Sequence, residues 1–214
     1  MSPPPVGSCA VAFKEWAGVC DALLAGRQSL ILRKGGIREE PGPGAFVPEH
    51  AEFWLYPTGL HQAQQGLRRG AAAPAAAPPP TPAPTRPADA GESLRIRAWA
   101  RVELTGYVQD EATLRALEEF HVFTEETIRK RFHYRTPGLW VLGARIWRRS
   151  SPIAIAATAE QAGCKTWVVL DSPLPATGLS PVVDDSTWAT HLQRLRSILD
   201  ADDPGRSIPS AARG

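Results

Sequence analysis

The alternation of apolar and polar residues is clearest over residues 94–108, where it predicts one long β-strand. Even positions there are apolar or glycine, and odd positions are mostly arginine, glutamate or aromatic. The run is longer than an ordinary strand, so we expect it to bend, with a bulge or kink at Gly106. A long bent strand is typical of small barrels and strongly curled sheets.

Shorter patterns predict the other elements. Apolar residues at helical spacing indicate an amphipathic helix over residues 12–25, ended by Gly26. A turn is expected at residues 34–36, and a helical turn capped by Thr58 is expected to contain His61 and Gln62. The remaining strands are predicted at residues 29–33, 52–56, 139–147 and 164–170. The remaining helices are predicted at residues 111–120, 124–132 and 186–199.

Residues 70–91 consist mainly of alanine and proline and predict a disordered segment. We interpret it as an insert within one domain, because the chain before it is too short to form its own core. The predicted fold is α+β, with a curled, mostly antiparallel sheet or small barrel-like core and flanking helices. The domain is expected to span residues 10–172, followed by an extension over 173–214 with one helix and a loose tail.

Composition narrows the function only slightly. The chain has 214 residues, a net charge of +2 and a pI near 8.6, which is too mild to indicate nucleic-acid binding by itself. Three cysteines without a CxxC motif argue against a disulfide framework or a zinc site. With no signal peptide and no long apolar run, we expect a cytoplasmic protein without membrane association.

The long strand carries a basic-aromatic pattern. If its odd positions share one face, Arg95, Arg97, Trp99 and Arg101 could pair with phosphates and stack a base. The alternative is a solvated face whose arginine stems cover apolar surface. Arg131 belongs to a second basic group at the end of a predicted helix, where the helix dipole alone would also favour cations.

A second candidate site combines Glu15, Lys34, Glu52 and His61, since a histidine beside a carboxylate can perform acid–base chemistry. No nucleophile is fixed by the pattern. Signatures of nucleotide-binding loops, zinc hydrolases and serine hydrolases are absent from the sequence, so no cofactor or metal is predicted. The acidic-x-lysine pair of a restriction-type nuclease is also missing.

Several short motifs together resemble one known family. They lie at residues 12–16 (AFKEW), 32–37 (LRKGGI), 52–58 (EFWLYPT), 61–62, 121–124 (HVFT), 131–132 and 162–168 (AGCKTWV). This combination is similar to the prokaryotic family named domain of unknown function 1802. The resemblance spans most of residues 13–170, leaves the C-terminal helix outside, and implies one domain on both sides of the insert. It implies no activity.

Three hypotheses about function follow. The first is a non-enzymatic module that binds RNA or DNA through the basic-aromatic strand face. The second is an enzyme, such as a degenerate nuclease or other hydrolase, whose four candidate side chains would converge in one pocket. The third is a protein-interaction domain of unknown partner, which requires an exposed apolar patch around Trp54 or Trp188.

Overall fold

A computed structural model describes residues 5–34, 49–59, 66–68, 93–158, 160–161 and 165–202. The strands are β1 (Ser8–Trp16), β2 (Leu30–Arg33), β3 (Glu52–Thr58), β4 (Ser93–Val108), β5 (Leu139–Ala156), β6 (Trp167–Pro175) and β7 (Leu179–Pro181). The helices are α1 (Ala17–Leu24), α2 (Glu111–Ala116), α3 (Glu125–His133) and α4 (Asp185–Asp202), with a 3₁₀ turn at Glu118–Phe120.

The seven strands form one mixed sheet in the order β2-β5-β4-β3-β1-β6, and β7 pairs with β5. Only the β1–β3 pair is parallel among these pairings. β3 and β4 precede and follow residues 69–92 and are paired, so the sheet is built from both sides of that segment. The predicted α+β class with a mostly antiparallel sheet is confirmed, and the sheet is not closed into a barrel.

The sheet is strongly curled. In a flat sheet, β1 and β2 would lie four strand spacings apart, about 19 Å. Instead, Arg33 Nη2 at the end of β2 donates a hydrogen bond to Lys14 O in β1. The two strands therefore approach each other across the open side of the sheet.

The helix predicted over residues 12–25 is only partly correct, because residues 12–16 belong to β1. β1 pairs with β3 on one side and β6 on the other, and both Ala12 and Phe13 are fully buried. A strand buried on both faces has no simple alternation, so its apolar residues merge with those of α1. The predicted stop at Gly26 is confirmed by its positive φ of 69°.

Gly106 does not mark the bend of β4. The register of β4 against β5 shifts between Ile96 and Ala98 and again between Val102 and Leu104. A Cβ on Gly106 would lie 2.8 Å from Leu199 Cδ1, so the glycine allows α4 to approach the strand. The prediction of a bulge at this glycine is wrong.

The two largest apolar clusters among the described residues pack against the sheet. The first core gathers residues of all four helices against one face of the sheet and is centred on Phe13, Phe53, Phe123 and Phe132. The second core consists of Ala12, Trp54, Tyr56, Leu94, Ile96, Trp99, Trp147, Val168, Leu170, Leu174 and Ala176.

The C-terminal helix α4 is fixed to the sheet. Leu195 and Leu199 enter the first core, and Trp188 Nε1 donates to Glu103 Oε2 at 2.8 Å. Arg145, which is only 3% exposed, forms an ion pair with Asp185 in the first turn of α4. The predicted domain limit at residue 172 stays a prediction, but α4 shares a core with the sheet.

Helix α3 has the predicted charge order. Thr124 caps it by accepting from Thr127 N at 3.3 Å, acidic residues occupy the first turn, and Lys130 and Arg131 lie in the last. The turn at residues 35–36, the turn with His61 and Gln62, the insert at 70–91 and the tail after residue 202 lie outside the described residues. Within the described ranges, no helix has the length and hydropathy to cross a membrane.

Candidate functional site

The four predicted binding residues of β4 do not share one surface. Leu94 and Ile96 belong to the second core, whereas Ala98 and Ala100 belong to the first, so the even positions change face at the register shift between them. Trp99 consequently points into the second core and is 2% exposed. The prediction of a single basic-aromatic face is wrong, because alternation alone cannot reveal a shift in register.

The arginines of β4 are largely matched by carboxylates. Arg97 Nη1 lies 3.0 Å from Asp21 Oδ1 on α1, and Arg101 Nε lies 2.6 Å from Glu52 Oε1 on the neighbouring strand. Arg95 is exposed. These contacts tie β4 to its neighbours, which is a structural role for two of the arginines.

The predicted catalytic group does not converge. Glu15 is opposite Pro57 in the β1–β3 register, and Glu52 lies five residues before Pro57. At about 3.3 Å per residue, the backbones of Glu15 and Glu52 are roughly 16 Å apart, beyond hydrogen-bond or one-water reach. His61 lies outside the described residues. The prediction of one pocket containing both carboxylates is therefore wrong.

A different group of charges gathers where β1 and β2 meet across the open side of the sheet. We call it the cationic seam and define it as Glu15, Arg33, Lys34 and Arg131. β1 supplies Glu15, the end of β2 supplies Arg33 with Lys34 directly after it, and the last turn of α3 supplies Arg131. The curl of the sheet is what brings β1 and β2 together.

Glu15 is the only carboxylate of the seam and is 2% exposed. Its Oε1 accepts from the backbone N–H of Trp16 at 2.8 Å, and its Oε2 lies 3.5 Å from Arg33 Nη2. The Arg33 guanidinium also lies 4.3 Å from the centroid of the Phe13 ring. The Arg33 side chain remains 21% exposed, so the seam reaches the surface.

Arg131 lies against aromatic rings. Its guanidinium is 3.9 Å from the Trp16 ring centroid and 4.5 Å from that of Phe123, and its Nη1 donates to Leu32 O at 3.2 Å. Burial of the guanidinium lowers the pKa of Arg131 to about 10; the Glu15 carboxylate opposes that shift and the charge of Arg33 adds to it. Arg131 is thus still cationic at neutral pH.

The two neighbouring lysines donate to backbone carbonyls, but only Lys34 belongs to the seam. Lys14 is 6% exposed, and its Nζ donates to Gln161 O and lies 5.6 Å from the Tyr56 ring centroid, on the face of β1 opposite to Glu15. Lys34 Nζ donates to Phe132 O at 2.7 Å, to Gly138 O at 2.8 Å and to Thr136 O. Burial lowers the pKa of Lys34. Lys34 thereby compensates carbonyls at the C-terminal end of α3.

The seam continues onto the surface beyond α3. Tyr134 lies two residues after Phe132, whose carbonyl accepts from Lys34. Its side chain is 55% exposed, which is unusual for an aromatic residue. The Arg135 guanidinium lies 5.2 Å from the Tyr134 ring centroid, and Arg135 is itself exposed. An exposed aromatic ring and an exposed cation therefore adjoin the partly buried charges.

The seam as defined contains three cations and one carboxylate. Partly burying charges of one sign is costly, because each loses hydration and repels its neighbours. The carbonyls contacted by Lys34 and the rings beneath the arginines offset only part of this cost. An anion at the exposed edge, near Arg33, would offset more of it, so the arrangement is suited to binding a phosphate or another anion.

The sequence revealed the members of the seam but not their association. Glu15, Arg33 and Lys34 stood out as charges in the first elements, and Arg131 as part of a basic helix end. Their convergence depends on the curl of the sheet and on the docking of α3, which are non-local. Tyr134 went unnoticed, although its position between helix α3 and Pro137 marks it as a loop aromatic.

Two further expectations can be compared with the structure. Trp54 is fully buried and Trp188 is 3% exposed, so the apolar patch required for the protein-interaction hypothesis is absent at these two positions. Among the described residues, no group of three or more metal-ligating side chains is present.

Two solved structures are similar to this chain at low identity. The crystal structure of ASCH from Zymomonas mobilis is 13% identical over 87% of this chain and 93% of that one, with a TM-score of 0.39. A mutant form is 12% identical over 71% and 76%, with a TM-score of 0.38. No curated protein matches.

The model of the family called domain of unknown function (DUF1802) matches residues 12–194. The match continues beyond Leu170 and includes part of α4, so the expectation that the C-terminal helix lies outside the family pattern is wrong. Since the match covers most of the 214 residues, the chain belongs to the DUF1802 family.

Proposed function

We propose that the protein is a non-enzymatic binding module for single-stranded nucleic acid, and that it binds through the cationic seam and the adjoining Tyr134 and Arg135. The observation that carries this proposal is the excess of cations in the seam, three against the single carboxylate of Glu15. This proposal keeps the predicted partner, RNA or DNA, and keeps Arg131, but it moves the surface away from β4.

A nucleic-acid strand supplies both kinds of group that the surface lacks. Its phosphates provide negative charge for Arg33 and Arg135, and its bases provide flat surfaces for the exposed Tyr134 ring. A base in a duplex is already stacked on both sides, so stacking on Tyr134 requires an unpaired strand. The recessed position of Arg33, whose side chain is 21% exposed, also favours a flexible strand over a stiff duplex.

The test is fluorescence anisotropy with labelled mixed-sequence single strands of RNA and DNA, measured over a series of salt concentrations. Tyr134→Ala should weaken binding by about 1–3 kcal/mol, the usual contribution of one stacked base. Arg135→Gln should lower the slope of log K against log salt by about 0.7, as expected for the loss of one phosphate contact to a single strand. A duplex of the same sequence should bind more weakly.

Arg95→Gln is the matched control, because Arg95 is an exposed arginine on β4 and away from the seam. Its affinity and salt slope should equal those of the unmodified protein. Two results would overturn the proposal: no binding of any single strand at low salt, or losses with Arg95→Gln and none with Tyr134→Ala and Arg135→Gln. The second result would return the binding surface to β4.

A further inference from the structure

The loop between α3 and β5, residues 134–138, is held by a side chain from a distant part of the sequence. We call it the α3–β5 loop. Lys34 directly follows β2, and its Nζ donates to the carbonyls of Phe132 at 2.7 Å, Gly138 at 2.8 Å and Thr136. These carbonyls lie before, inside and at the end of the loop. A single ammonium group therefore fixes the loop backbone at three points.

The backbone of the α3–β5 loop is strained. Arg135 has a φ of 62°, a left-handed conformation that is uncommon for a residue with a side chain. Gly138 has a φ of 134°, and a Cβ there would lie 2.2 Å from the hydroxyl oxygen of Tyr107. Such a backbone costs free energy and persists where neighbouring contacts impose it. Lys34 supplies three such contacts, and Gly138 N adds a hydrogen bond to Phe132 O at 3.1 Å.

The ammonium group of Lys34 has no donor left for a ligand. A lysine has three N–H donors, and here each one is matched by a backbone carbonyl. A phosphate could accept from Lys34 only by displacing one of these carbonyls. Tyr134 and Arg135 lie between the carbonyls that Lys34 holds, and both side chains are exposed. Lys34 is therefore placed to affect a bound strand through these two side chains rather than by touching it.

We propose that Lys34 is a positioning residue, which orders the α3–β5 loop so that Tyr134 and Arg135 face a single strand while Lys34 itself does not contact it. This role rests on the proposed function, because it concerns the same binding surface. A loop that is ordered before binding loses less conformational entropy in the complex. The affinity for a strand should consequently depend on a lysine that makes no contact with it.

The first test is ¹⁵N relaxation of the full chain without nucleic acid. In the unmodified protein, the amides of Arg135 and Thr136 should have order parameters of about 0.85, the value of a rigid backbone. Lys34→Met keeps the unbranched stem but removes the ammonium group, and it should lower these order parameters below about 0.6. Because the Lys34 side chain is partly exposed, water can reach the released carbonyls, and the variant should remain folded.

The second test is fluorescence anisotropy with single strands, under conditions in which circular dichroism shows each variant to be folded. Lys34→Met should weaken binding by about tenfold, because the strand must then order the loop itself. In a protein that already carries Tyr134→Ala and Arg135→Gln, the same change should alter the affinity by less than about twofold. A residue that acts through two others has no further effect once those two are removed.

Lys130→Gln is the matched control for both tests. Lys130 is an exposed lysine of α3 that pairs with Glu126 at 2.6 Å, and none of its printed contacts involves the α3–β5 loop. This variant should keep the order parameters and the affinity of the unmodified protein.

Three results would overturn the positioning role and leave the proposed function in place, provided that Tyr134→Ala still weakens binding. They are unchanged order parameters in Lys34→Met, an unchanged affinity of that variant, and a tenfold loss that persists after Tyr134→Ala and Arg135→Gln. The last result would mean that Lys34 contacts the strand directly. If the unmodified protein binds no single strand, the proposed function fails, and the positioning role fails with it.

Discussion

The β4 arginines and the cationic seam use the same residue types, but their charges are balanced differently. On β4, Arg97 and Arg101 each face one carboxylate, Asp21 and Glu52. In the seam, Arg33 and Arg131 both lie near the single carboxylate of Glu15, and Lys34 donates to backbone carbonyls. A cluster of arginines along one strand is therefore weak evidence of a binding surface, because neighbouring strands and helices supply the counter-charges. An excess of cations that persists after folding is stronger evidence.

The comparison also separates two uses of tryptophan. Trp99 packs edge-on against Trp54, with ring centroids 4.9 Å apart, deep in the second core. Trp16 lies under the Arg131 guanidinium at the seam. If the β4 pattern is structural, a substitution of Trp99 should lower stability more than binding. A substitution of the exposed Tyr134 should lower binding more than stability.

The largest effect is expected from Trp99→Ala. Removing a fully buried indole should lower the free energy of unfolding by about 3–5 kcal/mol, through lost burial and the cavity that remains. Urea denaturation followed by circular dichroism measures it. Any nucleic-acid affinity measured where the variant is still folded should be unchanged.

Val169→Ala is the control for that measurement, because Val169 is 73% exposed on β6. It should change the free energy of unfolding by no more than about 0.5 kcal/mol. A Trp99→Ala protein that keeps its stability but loses nucleic-acid affinity would mean that this ring leaves the core to stack on a base, and the contrast between the two regions would be lost.

The fold class could be predicted from sequence because it rests on local patterns. The alternation over residues 94–108 predicted β4, and the acidic start and basic end of α3 followed from the helix dipole. β1 could not be separated from α1, because Ala12 and Phe13 are buried on opposite faces of a central strand and carry no alternation. The irregularities in β4 depend on its register with β5, and this register could not be predicted from the sequence.

A second, somewhat smaller effect is expected from Glu15→Gln. This substitution keeps the shape of the side chain but removes the buried negative charge beside Arg33 and Arg131. Breaking a buried ion pair in this way should cost about 3 kcal/mol of unfolding free energy. Nucleic-acid affinity should not fall, because the seam becomes more positive. The measurements are urea denaturation and anisotropy at one low salt concentration.

Glu52→Gln is the matched change on the other region. The Glu52 side chain is 41% exposed and pairs with Arg101, so the free energy of unfolding should fall by no more than about 1 kcal/mol. Equal losses for Glu15→Gln and Glu52→Gln would contradict the view that the two regions differ in how their charges are buried. A loss of affinity with Glu15→Gln would instead assign the carboxylate a direct part in binding.

The candidate site was harder to predict than the fold, for a physical reason. Glu15 and Arg131 are 116 residues apart, since 131 − 15 = 116, and they interact only because the sheet curls and α3 docks on it. Glu15 and Glu52 both looked suitable for catalysis, yet the parallel register of β1 and β3 separates them. In each case the sequence identified the charged residues, but it did not show which of them lie close together in the fold.

The smallest effect is expected from Arg97→Gln, which tests the β4 region directly. Arg97 and Asp21 are 3.0 Å apart, with side chains 30% and 21% exposed, and such a pair contributes up to about 1 kcal/mol of stability. A double-mutant cycle with Asp21→Asn should show that most of the lost stability comes from the interaction between Arg97 and Asp21. The affinity and salt slope for single strands should not change.

Unchanged stability together with a salt slope lower by about 0.7 would mean that Arg97 exchanges Asp21 for a phosphate when the strand binds. In that event both regions would contact nucleic acid, and charge balance in the unbound protein would not distinguish them.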